Sequence, residues 1–171
     1  MEWRPMPEPH AVPETGLFLH QAKVRAEWVD YNGHMNEAYY VLIFGDATDA
    51  LYDHIGFDDH YRRAGTVSTY TLESHIRYLV EAHEGDLARI ETRVVAHDEK
   101  RARIYHAMWR ENVLLAVIEL LVLHVDKTVL RASAFAPEIL ARISAIALQH
   151  KGLTLPEPAQ SRFWLAAAAQ G

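Results

Sequence analysis

The sequence predicts an α+β domain: one long central helix packed against a curved antiparallel sheet of about five strands, with a C-terminal helix. Three observations carry this expectation. Residues 36–55 repeat apolar side chains at helical spacing. Residues 67–125 hold strand-like segments in succession, joined by turns too short for parallel crossovers. The last of these segments, residues 113–125, is almost continuously apolar, as a strand covered on both faces requires.

Taken in order, Met1 to Thr15 is a flexible, Pro-rich arm, because Pro5, Pro7, Pro9 and Pro13 forbid a regular ladder or helix. Residues 16–150 form the folded domain, and residues 151–171 a C-terminal tail. Phe18 to Val29 reads as a strand, with Phe18, His20, Ala22, Val24, Ala26 and Trp28 on one parity. The helix then runs from Asn36 to Ile55, where Tyr40, Phe44, Ala47, Leu51 and Ile55 recur and Val41, Leu42 and Ile43 widen the apolar stripe. Asn36 suits its N-cap and Gly56 its C′ position. Phe57 to Gly65 is a linker with room for one helical turn.

In Val67 to Val80 the even positions, Tyr70, Leu72, Ile76, Tyr78 and Val80, are mostly apolar and the odd ones, Thr69, Thr71, Glu73, His75 and Arg77, mostly polar, so one face is expected to be buried. Further strands follow at Asp86 to Ala96, Arg101 to Arg110 and Val113 to Val125, punctuated by Gly85, by His97 to Lys100, and by Glu111-Asn112. Ala136 to His150 reads as the last helix. Beyond Pro156 and Pro158, Phe163, Trp164 and Leu165 are candidates to anchor the tail.

The bulk composition narrows the function classes. The chain has 171 residues, is 50% hydrophobic and 23% charged, and carries a formal net charge of −6. That balance suits a single soluble globular domain and gives no broad basic surface for nucleic acid. It is also a poor surface for an acidic carrier protein. There are no cysteines, which excludes disulfides, thiolate metal sites and a cysteine nucleophile. No apolar h-region stands between Met1 and His20, and the longest apolar run falls short of the roughly 20 residues a membrane span needs. A cytoplasmic protein is expected. The eleven histidines are scattered, without H-x-x-x-H spacing. His34, His75, Asp30 and Glu73 could in principle ligate a metal, but without paired spacing no metal is expected.

Chemistry concentrates in Asp30-Tyr31-Asn32-Gly33-His34-Met35-Asn36, between the first strand and the helix. A carboxylate there can attack a carbonyl or deprotonate water, while N–H groups at a helix start can hold an oxyanion. Each residue also has a plainer reading. Asp30 and Asn32 are turn formers, Gly33 permits an unusual backbone angle, His34 can bond within the loop, and Asn36 can simply cap the helix. Glu73 and His75 share the polar parity of the second strand, either as a reserve acid and its neighbour or as an exposed pair. Glu119, in a buried run, needs a partner such as an arginine or histidine.

The chain resembles the hotdog-fold acyl-CoA thioesterases of the 4-hydroxybenzoyl-CoA thioesterase group. The likeness rests on Val24 to Asp30 followed by Tyr31 to Asn36 and Tyr39-Tyr40, on Glu73 to Leu79 followed by Gly85-Asp86, and on Ala116 to Glu119 with Leu123 to Asp126. Within the group, the wording of residues 30–36 is most similar to betainyl-CoA thioesterases associated with carnitine dehydrogenase. The resemblance implies a hotdog fold spanning residues 16–150, hydrolysis of a short-chain acyl-CoA, and a homodimer or homotetramer with sites at subunit interfaces. No cofactor is implied, since coenzyme A is part of the substrate. Asp30 falls where the group places its catalytic carboxylate, with Asn32, Gly33, His34 and Asn36 around it and Glu73 in reserve. A betainyl group further implies aromatic contacts, for which Trp28, Tyr31, Tyr39, Tyr40 and Tyr70 are candidates. His75, Arg101 and Arg103 are candidates for substrate contact, the arginines (with Arg62, Arg63 and Lys100) for CoA phosphates. The competing readings are a thioesterase for another short or aromatic acyl group, a hotdog dehydratase, and a non-catalytic acyl-CoA-binding protein.

Overall fold

The computed structural model describes residues 16–157, so the Pro-rich arm and Phe163 to Leu165 lie outside the described residues. The elements are β1 (Leu17–Lys23), a single 3-10 turn (Ala26–Trp28), α1 (Glu37–His54), α2 (Asp59–Ala64), β2 (Val67–Tyr78), β3 (Leu87–His97), β4 (Arg101–Arg110), β5 (Val113–Asp126), β6 (Arg131–Ala132) and α3 (Pro137–His150). The sheet is antiparallel in the order β1-β3-β4-β5-β2, with two-residue β6 beside β5. This is the α+β architecture expected, a curled sheet around a long helix.

The helix forms where its caps dictate. The Asn36 side chain accepts from the Ala38 N–H, and Gly56, at φ +79°, lets the chain leave in the left-handed region. Ile43, Phe44, Ala47 and Leu51 are fully buried against Ile90, Ile104, Met108 and Ile118 on the inner face of the sheet. Burying each large apolar side chain there contributes about 1.5–3 kcal/mol. One polar thread crosses this core. Thr48 donates to the Phe44 carbonyl, so its oxygen accepts from His106 Nε2 at 2.9 Å, and His106 Nδ1 accepts from Thr92 at 2.9 Å. Phe44 stacks on the same imidazole, joining α1, β3 and β4 through one ring.

The outer face of β3, β4 and β5 is buried as well. Tyr105, Ala107, Trp109, Leu114 and Val117 form a second cluster with Leu155 from the segment after α3. That segment is tied down by Arg93, which donates to the Thr154 carbonyl, and by Tyr105, which donates to the Glu157 carbonyl. The buried Glu119 is paired with Arg103 at 3.1 Å.

Two expectations are corrected. The first strand stops at Lys23, and residues 26–28 form a 3-10 turn, because the Val24 N–H turns to the Asp86 carbonyl and the Gly85 N–H returns to Val24. The apolar face of β2 is not buried in the single chain: Tyr70, Leu72 and Tyr78 are about half exposed. β2 is an edge strand with β5 as its one neighbour among the described residues, and a bulge between Thr71 and Glu73 breaks its register.

Candidate active site

Residues 30–34 make a tight loop closed at its neck by an antiparallel bridge between Val29 and Met35. The Asp30 N–H donates to the His34 carbonyl, and the Gly33 N–H donates back to the Asp30 carbonyl. Gly33 sits at φ +84°, which a side chain would strain. The loop is docked from outside by Met35, whose N–H donates to the Ala82 carbonyl at 2.7 Å, and by Asn36, whose N–H donates to Trp28. Ala82 is fixed a second time, its N–H donating to the Tyr40 hydroxyl at 2.9 Å.

One oxygen of the half-buried Asp30 carboxylate accepts from the Asn32 N–H at 2.8 Å. Its other oxygen takes no protein donor among the described residues, and Asp30 lines a pocket of about 360 Å³. Asp30, His34, Glu37, Tyr40, Tyr78 and Glu81 line that pocket. The Glu37 N–H is the first of α1 and has no acceptor among the described residues, so it is available at the positive end of the helix. Tyr78 packs edge-on against Tyr40, ring centroids 5.2 Å apart, and its hydroxyl reaches the Glu37 carbonyl at 3.5 Å. Burial raises the pKa of both phenols, so they stay neutral. His34 Nε2 stands 3.3 Å from Glu81 Oε2 across the rim. A free carboxylate, a helix-start N–H and a phenol-lined wall suit attack on a carbonyl group whose oxygen becomes negative.

The other sequence candidates fall elsewhere. The Asn36 side chain is taken up by its cap, and the Asn32 side chain and Gly33 are exposed. Tyr31 is 97% exposed. Trp28 is sandwiched, stacked on Tyr39 at 5.3 Å with Arg25 over its ring at 5.0 Å. Glu73 and His75 are exposed on β2, opposite Leu121 and Glu119, and Tyr70 lies further along the same strand. Arg101 and Arg103 sit at the start of β4, paired with Asp98 and Glu119. Arg62 donates to the Phe57 carbonyl, Arg63 pairs with Asp59 and Lys100 with Glu99. A second groove, of about 760 Å³, is lined by Lys23, Arg25 and Trp28. Sequence reasoning missed Glu37, Tyr78 and Glu81. Glu37 had a signal, being the first residue after the Asn36 cap.

Residues 24–143 match the family model described as the thioesterase-like superfamily. The chain belongs to that superfamily. The betainyl-CoA thioesterase of Pseudomonas aeruginosa is 42% identical to this thioesterase-like chain over 143 residues, 82% of this chain and 90% of its own length. The L-carnitine dehydrogenase/betainyl-CoA thioesterase of Agrobacterium fabrum is 44% identical over 146 residues, 85% of this chain but 30% of that longer protein. Among solved structures, a proposed thioesterase from Pseudomonas putida KT2440 superposes with a TM-score of 0.75 at 35% identity, covering 90% of this chain and 97% of its own. A Staphylococcus aureus protein in complex with CoA superposes at 0.78 and 24% identity over 86% of this chain and 94% of its own, a likeness of fold. The thioesterase-like chain has, among its described residues, no helix long and apolar enough to cross a membrane.

Proposed function

We propose that the protein is a cytoplasmic acyl-CoA thioesterase that hydrolyses betainyl-CoA to glycine betaine and CoA, as part of carnitine breakdown. The observation that carries this is the Asp30 pocket, which Asp30 shares with Glu37, the first residue of α1, and which Tyr40, Tyr78 and Glu81 also line, with one Asp30 carboxylate oxygen taking no protein donor among the described residues. Asp30 either deprotonates a water that attacks the thioester carbon, or attacks that carbon itself to form a mixed anhydride that a water then hydrolyses. The Glu37 N–H and the helix dipole stabilise the oxyanion, and the thiolate of CoA departs.

Covalent geometry places the cation of such an acyl group. In a betainyl thioester the quaternary nitrogen is two bonds from the carbonyl carbon, about 2.5 Å away. Whatever recognises the cation must therefore surround Asp30 itself. Tyr40, Tyr78, Glu37 and Glu81 do so, whereas Tyr31 and Tyr70 do not. Tyrosine faces attract such cations by about 0.5–2 kcal/mol each, and the carboxylates add long-range attraction.

The same reading includes a homodimer. β2 is twelve residues long with an open edge among the described residues. The exposed Val41 and Leu42 of α1 flank a groove of about 750 Å³ beside it. An edge of that length with half-exposed Tyr70 and Leu72 suits pairing with a second copy.

The test is thiol release from betainyl-CoA and from uncharged 3,3-dimethylbutyryl-CoA, which has a similar shape. The expected preference in kcat/KM is at least about tenfold for the cation, or about 1.4 kcal/mol. Equal rates would remove the cation pocket and leave a general thioesterase. Water loss without thiol release would indicate a dehydratase, and neither reaction a binding protein.

A further inference from the structure

Outside the reaction proper, one cluster of donors stands at the rim of the pocket. His34, Glu81 and His83 each present a ligand atom, and all three atoms lie within 4.8 Å of one another. We propose that these residues form a divalent-metal site of the Zn²⁺ class, and that an ion bound there blocks the pocket.

The geometry is close to what one tetrahedral ion asks for. His34 Nε2 and Glu81 Oε2 are 3.3 Å apart, which is about the edge of a tetrahedron with bonds of about 2.0–2.1 Å. The imidazoles of His34 and His83 meet edge to face with centroids 5.5 Å apart. Two imidazoles sharing one tetrahedral ion place their centroids about 5 Å apart. His83 is exposed, so a small side-chain rotation closes the remaining distance.

The backbone around the donors is fixed before any ion arrives. Glu81 and His83 flank Ala82, which is fully buried and held at both its N–H, by Tyr40, and its carbonyl, by Met35. Met35 is in turn the residue after His34. The two loops that bring the donors together are thus locked to each other at the point where the donors emerge. Behind His83, Asp86 Oδ2 accepts from the His83 N–H at 2.9 Å and so fixes the backbone from which the ring projects. Two imidazoles and one carboxylate favour Zn²⁺ over Mg²⁺ or Ca²⁺, which prefer all-oxygen shells.

Occupancy has a consequence for the pocket, and this part rests on the thioesterase reading. The ion takes Nε2 of His34 and the carboxylate of Glu81 away from the pocket wall. It also places positive charge where a cationic acyl group would sit.

The experiment uses chelator-treated full-length protein titrated with Zn²⁺ against a chromophoric chelator. One ion per chain is expected, with affinity at least tenfold weaker in His83→Ala and in Glu81→Gln and unchanged in His60→Ala, a histidine exposed on α2. Circular dichroism confirms that the variants are folded. Equal affinity in wild type and His83→Ala, or an equal loss in His60→Ala, would overturn the site. In the hydrolysis assay, Zn²⁺ inhibits the wild type, while His83→Ala keeps the metal-free kcat and resists the ion. Equal inhibition of both would overturn the blocking role. Should no thioester be hydrolysed under any condition, the thioesterase reading fails while the binding comparison still decides the site.

Discussion

The hydroxyl of Tyr40 accepts a hydrogen bond from the N–H of Ala82 at 2.9 Å, tying the second turn of α1 to the loop after β2. Through it the helix start, the Asp30 loop and the Glu81 loop become one unit, since the Ala82 carbonyl holds Met35 from the other side. Tyr40→Phe removes the acceptor and leaves a buried N–H unsatisfied. The expected loss of stability is about 1–3 kcal/mol. Urea denaturation measures it; an unchanged midpoint would show that the loop is held by other means.

Tyr78 is the aromatic wall of the pocket that packing does not consume, being half exposed where Tyr40 is buried. Tyr78→Leu is therefore expected to lower the preference for betainyl-CoA over 3,3-dimethylbutyryl-CoA by about 2- to 30-fold, matching one cation–π contact. The folded stability should change little. Comparing the two kcat/KM ratios in wild type and variant tests this, and a ratio unmoved by the substitution would assign the selectivity elsewhere.

His106 predicts a pH dependence of stability. Burial, with His20 nearby, holds its imidazole neutral with a pKa pushed down to about 3. Its unfolded value is about 6.5, so between those values the unfolded chain binds the proton and the folded one does not. The stabilisation is complete above pH of about 6.5 and is lost as pH falls toward 3, at up to about 1.4 kcal/mol per pH unit. His124 and His150 are lowered by burial too and act in the same direction. Denaturation from pH 7 to pH 5 should show the decline, with a shallower slope in His106→Gln; identical slopes would place the titration in other groups.

The open edge of β2 predicts assembly. Light scattering at micromolar concentration should find a dimer, and Leu72→Lys, adding a charge to a half-exposed apolar position on the strand, should weaken it at least tenfold. A wild-type monomer under those conditions would remove the dimer from the account.

What the sequence disclosed was local. α1 was legible from Asn36 to Gly56 because a capping residue, a helical apolar period and a C′ glycine all act within a few residues of each other. β4 and β5 were legible because turns at Asp98 to Lys100 and Glu111-Asn112 punctuate them. That Glu119 needs an arginine or histidine partner followed from the cost of a lone buried charge, but that the partner is Arg103, a candidate for CoA phosphate, did not. What was not legible depended on contacts between distant segments. The end of β1 is set by Asp86 and Gly85, not by its own residues. The wall opposite Asp30 comes from Tyr78 and Glu81, nearly fifty residues on. The aromatic residues nearest to Asp30 in sequence point elsewhere, Tyr31 into solvent and Trp28 into a stack with Tyr39.

In the proposed reaction the carboxylate oxygen of Asp30 that takes no protein donor among the described residues performs the hydrolysis. The most direct measurement is the kcat for thiol release from betainyl-CoA in Asp30→Asn beside Glu73→Gln. The Asn variant keeps the size of the side chain and its ability to accept the Asn32 N–H, so folding is preserved while the base is lost. A fall of about 10²-fold or more is expected for Asp30→Asn and near wild-type turnover for Glu73→Gln. Wild-type turnover in Asp30→Asn, with the loss appearing in Glu73→Gln, would contradict it and move the chemistry to β2.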